Sequence, residues 1–278
     1  MVYGLPVLFT LFVWWFSTGV ILYLDGLPRA TFKWSLAGAT VVLAAALYGL
    51  GASSTDATVA GAYVAFTSSV LIWGWLEMSF LMGFITGPWR AACPAGVRGW
   101  TRFRYALRTI LHHELALIVA AIVVFALTRD GANQVGMWTF VILWAMRQSA
   151  KLNVFLGVRN LSEEFLPVHL RYLETFFARK AMNPLWPVTS AAATVVAAWL
   201  WQRAGASDAA AFDATGYTFL ATLLTLAVVE HLFMVLPLPA TALWNWGLRS
   251  HKDSPTQRMS ATTELAALKE PLRVTPRA

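Results

Sequence analysis

One cysteine, Cys93, stands in a chain of 278 residues. That rules out an internal disulfide and a Cys-rich zinc or iron–sulfur site, so a metal would have to be held by imidazole and carboxylate. Charge is scarce as well. Asp, Glu, Lys and Arg make up 13% of the chain, about half of the roughly 25% usual in a soluble domain. With 58% hydrophobic residues and a mean hydropathy of +0.59, a water-soluble enzyme is excluded. Alternating polar and apolar runs bounded by turns are missing, which argues against a transmembrane barrel. No G-x-S-x-G, H-E-x-x-H or phosphate loop occurs. Net charge is +7, but in so apolar a chain the placement of Lys and Arg carries more meaning than their sum, and nucleic acid is not an expected partner.

What is present is long apolar runs and aromatics: 14 Trp, 17 Phe and 7 Tyr, the composition of a membrane protein with interfacial aromatic belts. Spans of roughly 20 apolar residues are predicted at 5–24, 34–52, 57–86, 106–127, 134–157, 187–203 and 215–236. The expected fold is all-α, a polytopic helical bundle of about seven transmembrane helices. Residues 1–4 lack the basic n-region of a signal peptide, so the first span is expected to stay. Basic residues crowd alternate loops: 17 of the 21 fall on one side and two, Arg129 and Arg203, on the other, with Arg147 and Lys151 inside a span. The positive-inside rule then puts the N-terminus outside and the C-terminus in the cytoplasm.

The bundle is expected over 1–247 and a disordered cytoplasmic tail over 248–278, a stretch rich in Ser, Thr, Pro and basic residues. Within the bundle, 162–180 places Leu166, Leu170, Leu173 and Phe177 on one helical face, with Ser162 as N-cap and Glu163 and Glu164 near its positive end. That reads as an amphipathic helix at the cytoplasmic interface. Glu163, Glu164 and His169 are its candidate surface residues, and His169 is placed to close over the bundle from below.

Ionisable residues inside spans are costly and mark sites. Given the inward and outward sense of each span, Glu77, His112, His113, Glu114, Arg147, Lys151, Glu230 and His231 fall in one cytoplasmic-side layer. Three chemistries fit. Arg147 and Lys151, four apart on one face, can neutralise two of the three carboxylates as a structural network. His113, Glu114, Glu230 and His231 are candidate ligands for non-haem iron or a similar metal, although the adjacent pairs diverge by about 100 degrees. A histidine could instead ligate a tetrapyrrole in this Trp-rich container. A proton or ion path lacks the paired broken helices of a transporter.

Several blocks resemble one family. They are Trp73-Gly-Trp-Leu-Glu77-Met-Ser-Phe-Leu-Met-Gly83, Leu111-His-His-Glu-Leu-Ala116, the run from Asn133 to Asn153, Asn160-Leu-Ser-Glu-Glu-Phe-Leu-Pro167, His169-Leu-Arg-Tyr-Leu173 and Glu230-His-Leu-Phe-Met-Val-Leu-Pro-Leu-Pro239. These are similar to photosynthetic complex assembly protein 2, or PuhE, of phototrophic bacteria. The resemblance implies a membrane protein acting with photosynthetic complex subunits or pigment-synthesis proteins, in reaction-centre or light-harvesting complex formation or in supply of bacteriochlorophyll. It implies bacteriochlorophyll or a precursor as a possible cofactor and carries over no catalytic residue. Three roles follow: a non-enzymatic assembly factor, favoured here, a metal-dependent membrane enzyme of pigment metabolism, and a tetrapyrrole-binding protein.

Overall fold

A computed structural model describes residues 3–236 and 240–252. It is all-helical and has no strand among the described residues. The long helices are α1 (Gly4–Asp25), α2 (Arg29–Ser53), α3 (Val59–Leu81), α4 (Gly99–Thr128), α5 (Val135–Leu156), α6 (Leu185–Ala204) and α7 (Ala211–Phe233), followed by a single turn, α8 (Arg249–Lys252). Five of them, α1, α2, α3, α4 and α7, are long and apolar enough to cross a membrane. The other two differ in composition: α5 carries Arg147, Gln148 and Lys151, and α6 is largely Ala, Trp and Thr.

Local chemistry sets the ends. The Thr58 hydroxyl accepts from the Gly61 amide and caps α3. Pro28 and Pro184 stand immediately before α2 and α6, where the missing N–H costs nothing. After α5 the chain turns sharply at Gly157, whose φ of +120° suits glycine. At one end of the bundle the fully buried Asn133 amide donates to the carbonyls of Ser53 and Asp56, tying the α4–α5 turn to the α2–α3 turn.

The bundle is apolar both inside and on its outer surface. α3 and α7 are the most buried helices, and Phe66 and Phe219 stack at their crossing with ring centroids 4.5 Å apart. Around this centre lie Leu50, Leu117, Val124 and Phe140. Leu8 and Phe12 of α1, Tyr48 of α2, Val119 and Ile122 of α4 and Val195 of α6 all face outward, the surface expected of helices solvated by lipid.

Two expectations are corrected at the other end. The 162–180 segment is not an α-helix: it forms 3-10 turns over Glu163–Phe165 and Val168–Phe176. Pro167 divides them, since it supplies no N–H and restricts the residue before it. Ser162 adopts a left-handed φ of 53° and makes no capping hydrogen bond. The apolar face that was read does exist, but it turns inward, with Leu170 and Leu173 buried against Phe80 and with Leu166 and Phe177 at their margin. The bundle also extends past 247. Leu248 packs with Leu22 and Trp244, and Arg249–Lys252 is helical. The rest of the expected tail, 253–278, lies outside the described residues.

Candidate functional site

The polar layer forms where the ends of α3, α5 and α7 meet the first half of α4. Glu77, on the buried face of α3, receives two parallel hydrogen bonds from Arg147, 3.1 Å from Nε and 2.9 Å from Nη2. One turn further along α5, Lys151 Nζ lies 2.6 Å from Glu114, and Gln148 donates to the other Glu114 oxygen at 2.7 Å. The residues three and four positions apart thus line one stripe of α5.

Glu230 stands apart. No cation pairs with it among the described residues. The Trp14 indole N–H donates to its Oε1 at 2.9 Å. His231, its neighbour, turns away and is buried. Its Nδ1 lies 2.9 Å from the Ala227 carbonyl, which can only accept, so Nδ1 carries the proton and Nε2 accepts from the Ser149 hydroxyl at 2.9 Å. The adjacent amides continue this network: Asn153 donates to the Ser149 carbonyl, and Asn183 donates to Asn153 Oδ1 at 2.9 Å.

The two histidines of α4 part company. His113 is fully buried, its ring 4.6 Å from that of Phe80, and neither nitrogen has a hydrogen bond. His112 is exposed on the outside of the helix and does not belong to the layer, because neighbours on a helix point about 100 degrees apart. The four expected metal ligands are not brought to one point either. Glu114 is held by Lys151, Glu230 by Trp14 and His231 by Ser149, while His113 sits against Phe80. No group of three His, Cys, Asp or Glu side chains suited to a metal ion occurs among the described residues. Of the surface candidates, Glu163 pairs with Arg179 at 2.8 Å, Glu164 is exposed, and His169 lies between Phe32 and the Gly83 turn.

The layer forms part of the wall of a cavity of about 670 Å³, well within the range of roughly 300–1,000 Å³ typical of ligand sites. It runs from Thr10, Phe66 and Leu223 near the middle of the bundle to the 3-10 segment at one end. Trp14, Trp73, Phe103, Phe155 and Trp244 give it aromatic walls, and Glu77, Glu114, Arg147, Lys151 and Glu230 line it with charge. Glu230 has accessible surface because it faces this space.

Residues 240–252 cross that end beside α1. Trp15 donates to the Leu243 carbonyl at 2.8 Å and Trp244 donates back to the Trp15 carbonyl at 3.1 Å. His251 Nε2 lies 2.6 Å from Asp25 Oδ1. Burial alone would lower the His251 pKa, but the hydrogen bond and charge of Asp25 outweigh it and raise it above the ordinary imidazole value, with Arg171 opposing.

Trp14, Gln148, Ser149, Asn153, Asn183 and the Asp25–His251 pair were not singled out from the sequence. The one available signal was the indole of Trp14 in mid-span, which needs an acceptor when it is away from water.

The DUF3623 family, described as a protein of unknown function, matches residues 1–255. An uncharacterized 30.4 kDa protein in the puhA 5′ region of Rhodobacter capsulatus is 41% identical over 254 residues, which cover 90% of this chain and 92% of that protein. No solved structure is significantly similar to the chain.

Proposed function

The chain belongs to the DUF3623 family, and from that premise we propose that it is a membrane-embedded assembly factor of the bacterial photosynthetic apparatus, one that shelters an apolar cofactor or pigment precursor in its cavity. The observation that carries this reading is the cavity itself: an aromatic chamber of about 670 Å³ with charge on one wall, inside a bundle whose outer faces are apolar. Its size and its Trp and Phe walls suit a largely apolar ligand. Two things support the biological setting. The Rhodobacter capsulatus relative lies in the puhA region, a photosynthesis gene cluster, and the motif blocks resembling PuhE include the residues of the polar layer.

In this reading α5 and α6 also cross the bilayer, making seven spans with the N-terminus outside and the C-terminus in the cytoplasm of the inner membrane. The ion pairs fix the side chains of the layer, so that the cavity stays open between ordered walls. Non-enzymatic holding is favoured over catalysis because Glu77, Glu114, Arg147 and Lys151 already neutralise one another and leave little free acid–base capacity.

Deletion of the gene in its phototrophic host is expected to lower photosynthetic complexes while growth without light continues. Selective loss of one complex supports assembly, and uniform loss of pigment points to synthesis. An unchanged absorption spectrum together with unchanged phototrophic growth overturns the proposal. Absorbance of the protein purified in mild detergent tests directly for a retained pigment.

A further inference from the structure

The polar layer holds three carboxylates and two cations: Arg147 is bonded to Glu77 through Nε and Nη2, and Lys151 to Glu114. Glu230 is the carboxylate left over. Its Oε1 accepts one neutral hydrogen bond from Trp14, and its Oε2 accepts none among the described residues. The neighbouring imidazole of His231 is saturated by Ala227 and Ser149. Glu230 therefore presents an open acceptor, with no matching cation among the described residues, to the cavity it lines.

Val13, Ile21, Val70, Leu143 and Leu223 give the same space apolar walls, and the other charged groups that line it, Glu77, Glu114, Arg147 and Lys151, are paired with one another. A charge facing hydrocarbon is satisfied only by a partner that brings the opposite charge or a donor. An anionic head would meet a carboxyl group there, and Arg147, a cation lining the same space, already bonds both oxygens of Glu77.

We propose that the cavity selects an amphiphile with an amine head, its ammonium group on Glu230 Oε2 and its apolar body along the cavity walls. The inference rests on the reading of the cavity as a ligand site and adds the chemistry of what it takes. Glu230 is the selecting group, and Trp14 positions it by holding Oε1.

The test is a competition in phosphatidylcholine nanodiscs holding the full-length protein, offered equal amounts of dodecylamine, dodecanol and dodecanoate and read by native mass spectrometry as one-to-one adducts. Dodecylamine is expected to exceed dodecanoate by on the order of tenfold, the scale of one charge-assisted hydrogen bond, with dodecanol between. Glu230→Gln is expected to bring dodecylamine down to the level of dodecanol and leave dodecanol unchanged. The wild-type competition needs no variant, so the proposal stays testable if Glu230→Gln does not accumulate.

Equal adducts of all three, or a preference for dodecanoate, overturn the head-group assignment and leave the cavity as a ligand site. Absence of every adduct overturns the ligand-site reading as well. Adding phosphatidylethanolamine to the nanodiscs separates the sources: displacement of dodecylamine makes the ligand an aminolipid of the bilayer, and persistence makes it a free amine.

Discussion

Arg147 meets Glu77 through two parallel hydrogen bonds, so removing the guanidinium leaves a carboxylate without its cation at 8% exposure. Arg147→Ala is expected to destabilise the protein by about 3 kcal/mol and to lower its amount in the membrane, measured by immunoblot. Glu77→Gln combined with Arg147→Met, which removes both charges, is expected to restore most of that amount. His113 behaves oppositely. Both of its nitrogens are buried without partners, so His113→Leu is expected to hold or raise stability by about 1 kcal/mol in thermal unfolding. Loss of photosynthetic complexes with the protein still present would then mark His113 as functional. The layer itself was legible in the sequence, because every charge in lipid is costly and these fall at matching depths. Which histidine faces inward was not. Lipid is as apolar as the bundle interior, so hydrophobic periodicity does not tell the inner from the outer face of α4, and His112 and His113 look alike.

At the scale of elements, the contact between residues 240–252 and α1 depends on two glycines. A methyl group on Gly19 would collide with the Trp246 ring, and one on Gly247 would collide with the Gly19 backbone. Gly19→Ala is expected to cost about 1–3 kcal/mol by overpacking and to free residues 244–252, detected as faster amide hydrogen exchange there. This contact also responds to pH. Asp25 raises the folded pKa of its partner His251 above the ordinary imidazole value, so the contribution of the protonated imidazole is lost as pH rises through that raised value. Exchange at 244–252, corrected for the intrinsic pH dependence, is therefore expected to quicken on the alkaline side, and His251→Phe should abolish the change. Sequence reading found the long helices because runs of apolar residues declare themselves. It missed the 3-10 geometry of Val168–Phe176, where Pro167 overrides a good amphipathic pattern, and it missed α8, a single turn held by tertiary contacts that four residues cannot announce.

For the whole molecule, the proposed orientation rests on the lopsided distribution of Lys and Arg. Reporter fusions after residues 53, 130 and 208 are expected to read as external and those after 98, 175 and 255 as cytoplasmic, and reversal of two or more would invert the molecule. All-helical architecture and the location of the charged layer could be reached from the sequence. The cavity could not, since it arises from how α1, α3, α4, α5 and α7 are spaced and not from any one segment. The pairing of α1 with residues 240–252 carries a consequence for biogenesis. Trp15 and Trp244 bond across 229 positions, so α1 is made long before the segment that completes that flank. During that interval Trp244, a wall of the chamber, is absent, and the chamber stands open on one side. A product stopped before residue 240 would keep α1 to α7 and lack the Trp244 wall of the chamber.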